Sequence, residues 1–279
     1  MQKKSKPQRN SIQESERPIG VFDSGIGGLT VFKSLRALMP EEDMIYFGDT
    51  AHLPYGSKSK ASIVQFSVEI ARFLCQQGIK ALVVACNTSS AVALSEIKKA
   101  VSVPVEGVIV PGARACARMA SRRIGVIGTE RTVRSGAYAK EIKKILPEVR
   151  VLQAACPLFV PLVEEGWWNY KVTEDVARIY LKPFQKARVD SLVLGCTHYP
   201  VIRSVISRVM GKKVSLIDSG EETAREFQKI LESLNLRKKK GRGWSRFYAS
   251  DDPDRFLRLS RRFLGSKITV KQVLKKNFE

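Results

Sequence analysis

The chain has 279 residues, 44% of them apolar and 27% charged, which suffices for a real core in one large domain or two small ones. No apolar run approaches the ~18–20 residues that cross a bilayer, and the polar start (MQKKSKPQRNSIQESERP) lacks the apolar stretch of a secretory signal, so neither a membrane protein nor a secreted one is expected. The net charge of +21 is concentrated at the ends: residues 1–17 carry five basic and two acidic groups, and residues 237–279 carry fourteen basic and four acidic.

Residues 1–17 have almost nothing to bury and read as a disordered basic tail, with order beginning at Pro18. Ile19-Gly20-Val21-Phe22-Asp23 predicts a strand ending in a carboxylate. The turn-like Ser24-Gly25-Ile26-Gly27-Gly28 follows, then apolar residues at helical spacing from Leu29 to Leu38, stopped by Pro40. Met44–Phe47 predicts a second strand, leading into Gly48-Asp49-Thr50 and a loop through Pro54-Tyr55-Gly56. Residues 59–77 carry a helical pattern. Ala81-Leu82-Val83-Val84-Ala85 is apolar throughout, as a parallel strand buried on both faces should be. It runs directly into Cys86-Asn87-Thr88-Ser89-Ser90 and another helix.

The pattern then restarts. Ile124-Gly125-Val126-Ile127-Gly128-Thr129 repeats the opening strand, and Ser191-Leu192-Val193-Leu194-Gly195-Cys196-Thr197 repeats the strand that ends in cysteine. Cys86 lies 67 residues after Ile19 and Cys196 lies 72 after Ile124. The repeat predicts an α/β protein of two similar parallel-sheet halves related by pseudo-twofold symmetry, each supplying one cysteine. Ligands of such sheets bind at the carboxyl ends of the strands, so a site in the cleft between the halves is expected.

The five cysteines (75, 86, 116, 156 and 196) form no C-x-x-C pair, so the simplest reading is free thiols in a reducing cytoplasm. With only two histidines, His52 and His198, no metal centre is expected. The turn Gly25-Ile26-Gly27-Gly28-Leu29-Thr30 is not G-x-G-x-x-G, and no P-loop is present, which argues against NAD or ATP. Its glycines instead predict a tight backbone turn approaching a small anion. A basic tail by itself solubilises the chain or attracts polyanions weakly.

Cys75, Cys116 and Cys156 read as small buried hydrophobes. Cys86 and Cys196 fit that role less well, because each ends a buried strand and is followed by hydroxyl and amide groups: Asn87-Thr88-Ser89-Ser90 and Thr197-His198-Tyr199-Pro200. Donors at a helix N-terminus favour a thiolate. Two thiols on opposite walls of a cleft allow redox chemistry, nucleophilic catalysis or two-base proton transfer. The first lacks its C-x-x-C, and the second needs only one cysteine. An ordinary thiol, near ~8.5, needs only modest tuning for acid–base work. Asp23 at the end of the first strand and His198 beside Cys196 are the candidate tuning groups, although His198 also reads as a satisfied structural histidine. His52 reads as structural, Pro54 as shaping its loop, and Trp167-Trp168 as a packing or lid element.

Six segments together resemble the cofactor-independent glutamate racemases of the aspartate/glutamate racemase superfamily. They are IGVFDSGIGG (Ile19–Gly28), FGDTAHLPYG (Phe47–Gly56), VVACNTS (Val83–Ser89), CPLFVPLVEEG (Cys156–Gly166), LGCTHYP (Leu194–Pro200) and LIDSG (Leu216–Gly220). SDDPDRF (Ser250–Phe256) is similar to the family's final segment. The resemblance implies that Cys86 and Cys196 are the acid/base pair, Cys86 handling the α-proton of D-glutamate and Cys196 that of L-glutamate. It implies that Asp23 assists Cys86, and that His198 assists Cys196 with a glutamate that maps onto Glu164 or its neighbour Glu165. It further implies that Asp23, Ser24, Tyr55, Gly56, Asn87, Thr88, Thr197 and His198 hold a glutamate substrate. No pyridoxal phosphate or other cofactor is expected, and the product would be D-glutamate for peptidoglycan.

An acidic residue after Cys-Thr would suit an aspartate enzyme, and this chain has His198 there. Ser89-Ser90 and the basic run Arg237–Arg242 depart from the usual pattern, the latter leaving room for a polyanion contact. By the same resemblance the chain returns to its first domain at the end. Residues 18–110 plus 215–266 are therefore expected to form one domain and 111–214 the other, with 267–279 a basic extension. A homodimer is expected.

Overall fold

The computed structural model describes residues 14–119, 121–266 and 268–272. Two parallel sheets organise it. The first joins β1 (Ile19–Asp23), β2 (Met44–Gly48), β3 (Ala81–Val84), β4 (Val105–Gly107), β9 (Ser245–Ala249) and β10 (Val270–Gln272) in the order β10-β9-β2-β1-β3-β4. The second joins β5 (Arg123–Gly128), β6 (Arg150–Ala155), β7 (Ser191–Gly195) and β8 (Ser215–Asp218) in the order β6-β5-β7-β8. The inner order β2-β1-β3-β4 recurs as β6-β5-β7-β8, so the doubled strand–cysteine pattern reflects two copies of one topology. Every residue of β1, β2, β3 and β7 is buried. Helical cover on both faces of a parallel sheet requires such continuous apolar runs.

In each copy the strand order reverses between the first and third strands: β1 pairs with β2 on one side and β3 on the other, and β5 with β6 and β7. Helix-bearing connections leave in opposite directions there, which opens a crevice at the carboxyl ends. In the first sheet that crevice is bordered by Asp23 and Cys86, and in the second by Thr129 and Cys196. Local caps start the adjoining helices. Cys86 Sγ accepts from Ser89 N (3.4 Å) ahead of α3 (Asn87–Val92), and Thr129 Oγ1 accepts from Thr132 N (3.3 Å) ahead of α6 (Glu130–Ser135).

The expected boundaries shift where strands pair. β8 pairs with β7 (Ser191↔Ser215), so residues 215–218 belong to the second sheet, not the first as expected. The return is made by the next helix, Ser219–Ser233, which packs on α1 (Leu29–Leu38) and on α5 (Ile109–Arg118). The expected extension at 267–279 supplies β10, which pairs with β9 (Val270↔Phe247). Residues 1–13 and 273–279 of the predicted tails lie outside the described residues.

Residues 14–17, expected to lack structure, form a turn held by Lys80 Nζ on the Ser15 carbonyl (2.5 Å) and Lys238 Nζ on Glu16 (3.3 Å). The same corner takes up part of the basic run. Arg237 pairs with Glu41 and Glu42 (3.1 and 3.2 Å), Lys238 with Asp43 (2.8 Å), and the buried Lys80 with the buried Glu42 (2.5 Å). Lys239, Lys240 and Arg242 remain exposed. The Ser89-Ser90 departure also has a local cause: Ser90 Oγ donates to the Val84 carbonyl (2.9 Å) and accepts from Val108 N (3.2 Å), tying α3 to β3 and the end of β4, while Ser67 Oγ donates to Ser89 Oγ (3.1 Å).

Candidate active site

Cys86 and Cys196 occupy the same place in the two copies, just past the third strand, and both are buried. Their surroundings differ. Cys86 Sγ lies 3.6 Å from Ser24 Oγ and accepts from Ser89 N. Burial, then the neighbouring Asp23 carboxylate, pushes the Cys86 thiol up to about 11, over the opposing pull of the Ser89 and Ser24 hydrogen bonds. The expected thiolate-favouring effect of the helix start is present at Cys86 but outweighed, because desolvation and a nearby anion act more strongly than one long N–H···S contact.

Asp23 is itself buried, and burial raises its carboxyl against the opposing pull of His198 and of the Gly28, Gly25 and Ser24 amides. Its Oδ2 accepts from Gly25 N (3.1 Å), and among the described residues its Oδ1 makes no hydrogen bond. Asn87 Oδ1 accepts from Tyr138 (2.6 Å), and its Nδ2 likewise has no partner. One acceptor and one donor, both buried, are thus left for a polar ligand to complete.

Cys196 Sγ faces His198 Nδ1 at 3.9 Å, and His198 Nε2 faces Glu164 Oε1 at 3.1 Å. Burial alone would suppress charge on the imidazole. The contacts with Cys196 and Glu164 overcome it and raise His198 to about 10. The two contacts thus favour the protonated imidazole between Cys196 and Glu164. Glu164 ends α8 (Phe159–Glu164); burial pushes its carboxyl up, and His198 and then Arg255 pull it to a net value below the ordinary range. Glu165 is exposed, so of the two glutamates it is Glu164 that meets His198.

The two environments touch. Thr30 Oγ1 donates to the Thr197 carbonyl (2.9 Å), which fixes the start of α1 against the loop after Cys196. A Cβ on Gly27 would lie 2.4 Å from His198 Cε1 and Nδ1 and from Thr197 Oγ1, and one on Gly28 would lie 2.4 Å from Asp23 Cβ. The turn is glycine-rich because Thr197, His198 and Asp23 crowd it; the small anion that the sequence suggested is not needed to explain it.

Across the same seam Thr88 Oγ1 meets Thr129 Oγ1 (3.0 Å) and Thr132 Oγ1 (3.3 Å). Sequence reasoning missed Thr129 and Thr132. The signal was available, since Thr129 follows the duplicated strand at the place Ser24 follows Asp23.

Tyr55 is buried with its hydroxyl on Asp49 Oδ2 (2.5 Å), and that carboxylate also receives Ser250 (2.7 Å) and His52 Nδ1 (2.9 Å). His52 stacks on Phe66 with ring centroids 3.9 Å apart, the structural role expected of it. Gly56 and Pro54 line a cavity of about 560 Å³ beside Thr129, Pro161, Glu164 and Arg255. Trp168 Nε1 donates to the Val163 carbonyl (2.8 Å), steadying the end of α8, whereas Trp167 is half-exposed beside Tyr170. Cys116 and Cys156 are buried, and burial raises both thiols. Among the described residues no group of three or more His, Cys, Asp or Glu is placed to hold a metal ion, and no helix is long and apolar enough to cross a membrane.

Residues 27–227 match the family Asp/Glu/Hydantoin racemase. A glutamate racemase of Geobacter metallireducens is 53% identical over 254 residues, 90% of this chain and 94% of that protein. The crystal structure of glutamate racemase from Thermus thermophilus in complex with beta-chloro-D-alanine matches with a TM-score of 0.87 at 46% identity, covering 94% of this chain and 99% of that one. Glutamate racemase from Francisella tularensis in complex with D-glutamate matches with a TM-score of 0.88 at 39% identity, covering 93% and 98%.

Proposed function

The chain belongs to the Asp/Glu/Hydantoin racemase family, and from that premise we infer that it interconverts L- and D-glutamate by proton exchange at Cα. One observation carries the two-base reading: a duplicated topology puts a cysteine at the same strand end twice, and the turn beside the first packs against the histidine beside the second.

In the L-to-D direction the Cys196 thiolate takes the α-proton and becomes a thiol. The electron pair stays on Cα, delocalised toward the adjacent carboxylate. The Cys86 thiol gives its proton to the opposite face and becomes a thiolate. The D-to-L direction runs the same steps in reverse, so nothing is consumed. Each positioned acid or base of this kind contributes on the order of 10²–10⁴-fold. The high value of the Cys86 thiol suits it to begin as the donor, and the His198 imidazolium supplies positive charge beside Cys196.

In this reading Asp23 assists Cys86, and His198 with Glu164 assists Cys196. Ser24, Tyr55, Gly56, Asn87, Thr88 and Thr197 join Asp23 and His198 around the substrate, with the unpartnered Asp23 Oδ1 and Asn87 Nδ2 as polar contacts. The proposed mechanism calls on no cofactor. The product is D-glutamate for peptidoglycan, made in the cytoplasm. A homodimer covering exposed Leu158, Trp167, Tyr170 and Ile179 belongs to the same proposal, as does a weak, salt-sensitive polyanion contact through Lys239, Lys240 and Arg242.

The test is racemisation of L-glutamate by purified protein without added cofactor in deuterated water, followed by circular dichroism, with L-aspartate in parallel. Deuterium should enter Cα of the product. Turnover of aspartate alone, or product without label, would overturn the reading.

A further inference from the structure

The last described helix, α12 (Pro253–Leu264), packs on α1, β9 and β10, yet one of its faces reaches Glu164 and His198. Arg255 donates from Nη2 to Glu164 Oε2 (3.1 Å), so the two oxygens of that carboxylate are divided between Arg255 and His198. Arg262 donates from Nη1 to the Glu164 backbone carbonyl (2.8 Å), at the open C-terminal end of α8. The Phe263 ring meets the His198 ring edge-on, with centroids 5.8 Å apart. Positions 255, 262 and 263 share one helical face by their spacing. Asp252 fixes where that face begins: it turns the chain at φ 43° and its side chain accepts from Arg255 N (2.9 Å).

We infer that Arg255 and Arg262 are positioning residues for the second base, holding Glu164 from both ends so that Glu164 orients His198 against Cys196. The inference rests on the racemase reading above. It gives a role to the Ser250–Phe256 segment, which the acid–base chemistry does not otherwise use. A guanidinium on each end of Glu164 removes its freedom to swing into the adjoining cavities that it shares with Glu130, Asp251 and Asp252. These, with His198, Arg255, Arg262 and the neighbouring Glu165, are the charged groups around Glu164. Burial raises the Glu164 carboxyl, and His198 and Arg255 bring it back below its ordinary value, so removing Arg255 lets it rise.

The test uses the full chain with Arg255→Met, Arg262→Met, the double variant and Arg255→Lys. Because enantiomers have equal free energy, kcat/KM falls equally in both directions for every variant, and direction must be read from isotope effects. Loss of positioning at Cys196 should lower kcat/KM by about 3-fold in each single Met variant and by about 10-fold in the double, because both arginines act through the one Glu164. It should raise the primary isotope effect from Cα-deuterated L-glutamate and lower that from the D-enantiomer. The acid limb of kcat/KM should move to higher pH in Arg255→Met, with partial rescue in Arg255→Lys.

A role confined to folding moves neither the isotope-effect split nor the acid limb. A role as a surface attractor for the dianion appears in KM alone and is fully restored by lysine. Either result overturns the inference. Histidine NMR separates this from failure of the racemase reading, since it needs no substrate and the chain has two histidines. The His198 resonance should shift in Arg255→Met while His52 stays in place, and an unmoved His198 overturns the positioning role whether or not the protein racemises glutamate.

Discussion

The two halves repeat one strand order and place one cysteine each, yet they surround those cysteines differently. Around Cys86 stand Asp23, Ser24 and the Ser89 amide, a neutral-to-negative shell that keeps the buried thiol protonated. Around Cys196 stand His198, whose contacts favour its protonated form, and, behind it, Glu164 and Arg255. The backbone thus fixes where the sulfurs are, and side chains brought close by the fold, most of them remote in sequence, set the charge around them. A symmetric fold carries an asymmetric set of polar and charged neighbours around its two sulfurs.

The largest test of that comparison removes either member. Cys86→Ser and Cys196→Ser should each lower kcat/KM by about 10³-fold or more, because a hydroxyl is a far weaker acid than a thiol. Full activity in either variant breaks the pairing of the halves. Next, Gly27→Ala drives a methyl group into His198 and Thr197 without touching either cysteine. A displacement near 1 Å there should cost about 100-fold in kcat/KM while the circular dichroism spectrum stays native.

Glu164→Gln probes the second half alone and should cost about 10-fold in rate. It also carries a pH signature. The ordinary histidine value is 6.5, and folding raises His198 to about 10, so its contribution to stability is complete below 6.5, declines between those values and is gone above about 10. In Glu164→Gln that decline should flatten by on the order of 2 kcal/mol in urea titrations at successive pH values, the size of a hydrogen bond to a charged group. An unchanged pH slope would mean Glu164 does not hold the imidazolium. The smallest effect on rate belongs to Lys80→Met, at a residue that precedes β3 at the opposite end of that strand from Cys86. Among the described residues it leaves the buried Glu42 with only Arg237 as a side-chain ion-pair partner, and it should cost about 3 kcal/mol of stability with kcat unchanged.

The sequence by itself determined strands β1, β2, β3, β5 and β7, the duplication and the candidate site residues. Strands read as apolar runs because helices cover both faces of a parallel sheet, and the cysteines stood out because polar residues followed a buried strand. It also carried Asp23 and His198, each local to a strand end. Glu164 was legible only as one of two neighbours. Adjacent helical residues point about 100° apart, so only packing of Phe159, Leu162 and Val163 decides which glutamate faces His198.

Tertiary structure alone decided the rest. β8 joins the second sheet and β10 the first through hydrogen bonds between strands remote in sequence, which no local pattern encodes. The same holds for the contact of Gly27 with His198, for Thr88 with Thr129, and for Arg255 and Arg262 on Glu164. Periodicity reports which face of an element is buried, but which partner it is buried against is set by the closure of long loops, and that information exists only in the folded chain.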